Sequence, residues 1–249
     1  MNHHYKYILR LADNALINTQ RLSEWTGHGP FLEEDLALTN IALDILGRSN
    51  LLLEHAAKID NTGKSADNLA YHRGEREFLN TKLVEQPNGD YAQTIIRQVF
   101  VDAFDLLLYT ELCKSSDQTL AGIAAKSVKE ITYHYRHTSN WVLRFGLGTE
   151  DSNQRAQQAL NELWRFSGEL FYTDETDQWA VKEGIGADVN MFKDKWTKTI
   201  TSLFAEANLK LPENAFMQTG GKNGIHTEHL GYILAEMQSL ARSLPNDKW

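Results

Sequence analysis

Apolar residues return every three or four positions along most of this 249-residue chain, and no segment shows sustained alternation. That period gathers apolar side chains on one face of a helix, whereas a half-buried strand needs every second residue apolar. The densest run, Leu36, Ala37, Leu38, Ile41, Ala42, Leu43, Ile45 and Leu46, is apolar nearly all round, so its helix is expected in the interior of a bundle. Ahead of it, Ile8, Leu9, Ala12, Ala15, Leu16, Thr19 and Leu22 form a stripe that Gly27-His28-Gly29-Pro30 ends. Further helices are predicted over about 68–85, 91–114, 117–145, 152–171, 188–207 and 227–244, with irregular stretches near 173–186 and 208–224. The four prolines, Pro30, Pro87, Pro212 and Pro245, all fall where a helical pattern begins or ends. Long helices joined by short turns imply an all-α four-helix bundle with additional C-terminal helices. A single domain over 1–249 is expected, its core bundle at about 32–146 and a C-terminal helical extension at about 150–249.

A net charge of −8 and a pI near 5.6 speak against a phosphate-backbone binder, which needs a clustered basic surface. The lone Cys113 cannot close an internal disulfide, the Met1-Asn2-His3-His4 start lacks a signal-peptide pattern, and no uninterrupted apolar run reaches membrane-spanning length. The expectation is a soluble cytoplasmic protein that binds neither nucleic acid nor membrane.

Four acids, Asp44, Glu75, Asp102 and Glu130, fall on four successive helical segments of this pattern. Carboxylate-bridged di-iron sites in bundles are built this way, from one carboxylate on each of two helices and a Glu-x-x-His pair on each of the other two. Residues three apart share a helix face, so each Glu-x-x-His can reach one metal. Here the third residue after Glu75 is Phe78 and the third after Glu130 is Tyr133. His134 and His137 follow Glu130 by four and seven and share its face. Without the two Glu-x-x-His nitrogens, the acids are expected to be a vestige, satisfied by arginines, tyrosines or water. Glu75 also sits among Arg73 and Arg76, which offer it neutralisation without metal, and Asp105 competes with Asp102 for the third position.

Other patterns carry less chemistry. His226 and His229 place two imidazoles three apart, but no nearby pattern supplies the further ligands zinc needs. Thr219-Gly220-Gly221-Lys222-Asn223-Gly224 is not a Walker loop, although Lys222 and exposed backbone N–H groups are suited to an anion. Gly184-Ile185-Gly186 lacks the third glycine and preceding strand of a dinucleotide fold, and Cys113 has no activating neighbour.

Several strings, in this order and spacing, carry a more specific signal: Glu24-Trp25-Thr26-Gly27-His28-Gly29-Pro30, Leu43-Asp44-Ile45-Leu46-Gly47, Leu83-Val84-Glu85-Gln86-Pro87-Asn88-Gly89, and Gly220-Gly221-Lys222-Asn223-Gly224-Ile225-His226-Thr227-Glu228-His229. Together with Asp35-Leu36-Ala37-Leu38 and Leu234-Ala235-Glu236-Met237-Gln238, they resemble the C-subunit family of bacterial phenylacetyl-CoA 1,2-epoxidases over nearly the whole chain. The resemblance implies a ferritin-like fold and a non-catalytic, structural role in a multicomponent monooxygenase of aerobic phenylacetate breakdown. It implies no cofactor in this chain, a di-iron centre in a catalytic A subunit, and a reductase and small accessory subunits as further partners. Phenylacetyl-CoA would be met only through the complex, with Lys222 a candidate contact to the CoA phosphates. Two alternatives stay open: an oxygenase in its own right using Asp44, Glu75, Asp102, Glu130 and His134, or a stand-alone helical ligand-binding protein.

Overall fold

The computed structural model describes residues 2–213 and 215–244; Pro245, read above as punctuation, lies outside them. The fold is all-α, of the ferritin-like helical-bundle type, and its contacts divide the chain into two compact units. The first comprises 1–86 and 220–249, the second 87–219.

In the first unit α1 (His3–Ser23) packs along α2 (Leu32–Asp60). The Asn2 side chain caps α1 by accepting from His4 N at 2.9 Å, satisfying one of the N–H groups a helix start leaves open. Glu33, Glu34 and Asp35 place negative charge in the first turn of α2, where the helix dipole favours it, and Asn61 ends that helix at φ 51. Two buried hydroxyls tie the pair: Thr19 Oγ1 donates to Ala42 O at 2.6 Å and Ser49 Oγ to Ala12 O at 3.1 Å. The chain then forms the short α3 (Ala66–Tyr71) and a 3-10 turn at Glu75–Glu77, and later returns with α9 (Glu228–Met237) and α10 (Ser239–Ser243).

In the second unit α4 (Tyr91–Leu112) packs along α5 (Gln118–Leu147), with α6 (Glu150–Ser167), α7 (Glu175–Lys182) and α8 (Lys193–Glu206) following. Asp90, Asp117 and Thr149 cap the first three of these helices. The core between α4, α6 and α8 is aromatic: Phe100 lies 5.7–5.9 Å from the rings of Trp164, Trp196 and Phe204, and the two indoles stack at 6.1 Å.

Four expectations change. The helix predicted over about 68–85 stops at Tyr71, and the chain beyond it is irregular. Its backbone is held from α1 instead: Asp13 accepts from Leu79 N at 2.9 Å and Asn14 from Thr81 N at 2.8 Å, so the ladder of a helix is replaced by side-chain acceptors. The stretch near 173–186 contains α7, started by an Asp174 capping box. The final helix breaks at Gln238, whose amide donates to the carbonyls of Ala70 and Arg73.

The last change concerns the interior. α1 and α4 are the buried helices, each with 15 residues in the core, whereas α2 buries 10 of its 29. By length and mean composition α2 is also apolar enough to cross a membrane, although it holds no uninterrupted apolar run of that length. Glu34 and Arg48 within its buried face, and its packing along α1, are features of a bundle helix.

Candidate functional site

Of the five residues proposed as a vestigial metal site, Asp44 and Glu75 lie in the first unit and Asp102, Glu130 and His134 in the second. Asp44 is half-buried on α2, and Glu75 is exposed on the 3-10 turn rather than on a bundle helix. Asp102, only 2% exposed on α4, accepts from Gln98 Nε2 at 2.7 Å and from Thr138 Oγ1 of α5 at 2.9 Å. Burial, and secondarily the Asp102 charge, pushes the neighbouring Tyr135 phenol above its usual range. Glu130 is partly exposed and faces Lys126 Nζ at 3.9 Å. His134 is buried, its carbonyl accepting from Thr138 Oγ1 at 3.0 Å. Asp102, Glu130 and His134 do not bring their ligand atoms into one group within 4.8 Å.

The positions where nitrogen ligands would stand are equally clear. Phe78 is fully buried, with the Arg73 guanidinium 4.1 Å from its ring centre. Tyr133 is 55% exposed and stacks on His137 at 6.3 Å. One is a core residue and the other faces solvent. A di-iron centre of the usual kind takes two Glu-x-x-His pairs, and neither Glu75 nor Glu130 has a histidine at the third position.

Two of the buried acids that the sequence reading did not single out hold loops in place. Asp13 of α1, fully buried, forms a two-pronged ion pair with Arg73: Nη1 donates to Oδ2 at 2.9 Å and Nη2 to Oδ1. Arg73 also donates to the carbonyls of Leu69 and Glu77, so this one side chain gathers the turn after α3 onto α1. Nearby, burial raises the Tyr5 phenol above its usual range, opposed by Arg73 and reinforced by Asp60, Asp13 and Glu77.

Glu85 is the second. Its carboxylate accepts from Asn80 Nδ2 at 3.0 Å, from Thr227 N at 2.6 Å and from Thr227 Oγ1 at 2.8 Å, and it meets His226 Nδ1 at 2.8 Å. It thereby serves the first turn of α9, whose cap residue is Thr227. The zinc alternative for His226 is excluded by its partners, because its second nitrogen lies 2.8 Å from Phe78 O. The glycine loop before it packs by its backbone: a Cβ on Gly221 would come within 2.2 Å of Asn80 O, and one on Gly224 (φ +75) within 2.3 Å of Arg76 O. Lys222 sits in this turn only 8% exposed, its carbonyl accepting from Arg10 Nη2 at 3.1 Å. The turn is thus held against 76–82 through its backbone.

The surface feature with most chemistry is the outer face of α2. Leu32, Leu36, Leu43 and Leu46 are 70, 53, 58 and 40% exposed, and Phe31 beside them 47%. With Thr39 between Leu36 and Leu43, the spacing is four, three, four, three, the pattern of a seam that receives another helix. Glu33, Asp35 and Asp44 share the outer half of this helix.

Comparison with known proteins places the chain. The family model described as phenylacetic acid catabolic protein matches residues 1–249. The chain belongs to this family. Within the phenylacetic acid catabolic proteins it is similar to the C subunit of the 1,2-phenylacetyl-CoA epoxidase of Escherichia coli strain K12, with 49% identity over 249 residues, all of both chains.

Proposed function

We propose that this chain is the non-catalytic C-type subunit of a multicomponent phenylacetyl-CoA 1,2-epoxidase in aerobic phenylacetate catabolism, working in the cytoplasm as one functional domain. The observation that carries the proposal is the exposed apolar face of α2. A helix apolar all round is stable in water when both faces are covered, and here α1 packs along one face while Leu32, Leu36, Leu43 and Leu46 are exposed among the described residues. The second cover is the catalytic subunit, a related helical protein. The acids flanking this seam suit lysines or arginines on that partner.

In this reading the di-iron centre belongs to the partner, and a reductase and small accessory subunits complete the complex. The aromatic occupants of the nitrogen positions, Phe78 and Tyr133, support a chain that holds no iron of its own. Its contribution is mechanical: it covers and steadies helices of the catalytic subunit so that iron ligands there keep their geometry. Co-purification tests the assignment. Leu36→Asp/Leu43→Asp is expected to fold normally, since both side chains are more than half exposed, and to lose the catalytic subunit. Retained co-purification would remove the seam from the account. The contact proposed between Lys222 and the CoA phosphates is tested by Lys222→Ala in the complex: an unchanged CoA-thioester affinity discards it.

A further inference from the structure

The buried pair of Glu85 and His226 belongs to neither the vestigial acids nor the α2 seam, and its proton inventory has a consequence for the C-terminal segment. Both side chains are completely buried. Phe78 O, 2.8 Å from Nε2, is a carbonyl that only accepts, so Nε2 carries a hydrogen. Glu85 already receives three donors from Asn80 and Thr227, the pattern of an acceptor-only carboxylate. Nδ1 at 2.8 Å from Oε2 therefore carries a hydrogen as well. With Glu85 ionised, a neutral ring would set a lone pair against an oxygen on one side or the other.

We propose that His226 and Glu85 are a proton-dependent lock that fastens the 220–230 segment, and with it the start of α9, onto the 78–86 segment. Released into water, the imidazole is largely neutral above about pH 6.5. Docking then takes up one proton. The sign follows: the ring binds its proton more tightly when docked, so the lock is complete below about pH 6.5 and weakens about tenfold per pH unit above it. The weakening ends where the docked ring itself loses its proton.

The neighbouring charges among the described residues include the Lys222 side chain on the same segment, the Arg73–Asp13 pair beside Phe78 and Leu79, and the following. From α1, Arg21 donates to the Glu85 carbonyl and pairs with Glu24, and Arg10 donates to the Lys222 carbonyl. Lys82 lies on the same segment as Glu85, Glu75, Arg76 and Glu77 on the 3-10 turn against α9, Glu228 and His229 in the first turn of α9, and Arg242 on α10. Among these, histidine is the residue type that ordinarily changes charge between about pH 6 and 8, so His229→Gln is the control.

Hydrogen exchange on the full chain between pH 6 and 9, corrected for intrinsic rates, reads the lock directly. Protection of the 220–230 amides is expected to fall about tenfold per pH unit above about pH 6.5 in the wild type and in His229→Gln, while α4 stays protected. In His226→Gln, which keeps one donor and does not titrate, protection should be lower and flat with pH. Should that variant fail to fold, 15N spectra of histidine-labelled wild type decide the matter through the protonation of both His226 nitrogens at pH 6. Flat protection in the wild type, or a bare Nδ1 at pH 6, overturns the proposal.

Discussion

An acid in the middle of an apolar helix must be paired, hydrogen-bonded or neutral, and Asp13 and Asp102 show two solutions. Asp13 takes a guanidinium from residue 73, whereas Asp102 takes an amide and a hydroxyl. Removing one partner of the first leaves a charge buried and unmatched. Asp13→Ala is expected to cost about 3–5 kcal/mol in denaturant unfolding, and to expose the turn after α3 to proteolysis. The tyrosines make a prediction of opposite character. Burial raises the Tyr5 and Tyr135 phenols, so the unfolded chain releases these protons first as pH climbs past about 10. Their contribution to stability is present below that pH and lost above it. Tyr135→Phe should reduce the alkaline fall in melting temperature, and should remove one late-ionising phenol from the phenolate absorbance.

At the level of elements, α2 is where packing and sequence pull apart. Its pattern is that of an interior helix, yet its Leu32, Leu36, Leu43 and Leu46 face outward. Covering a leucine is worth roughly 1.5–3 kcal/mol, so Leu36→Asp/Leu43→Asp should weaken binding of the catalytic subunit by at least about 100-fold. Melting temperature should hardly move. The segment predicted as a helix over 68–85 errs for the opposite reason: its helical periodicity is real, but acceptors on α1 satisfy its backbone in another shape. Asp13 and Asn14 interrupt the first helical segment between Ala12 and Ala15, so the signal was present there, although nothing in that segment names their partners.

For the molecule as a whole, the proposed division of labour is measurable. Elemental analysis after anaerobic reconstitution with Fe(II) should find iron far below stoichiometric in this chain and about two per catalytic subunit in the complex. Two tightly held irons in the isolated chain would instead overturn the non-catalytic reading and restore the oxygenase alternative.

The all-α class, most helix positions and the loss of both Glu-x-x-His nitrogens were legible in the chain itself, because helix periodicity and i, i+3 spacing are local properties. Glu75 leaving the set of helical acids, the burial of Lys222 in its turn, and Glu85 meeting His226 across 141 positions depended on tertiary structure. So did the exposure of α2. Local spacing states which side chains share a face, but what lies opposite that face is set by contacts between residues far apart in the chain.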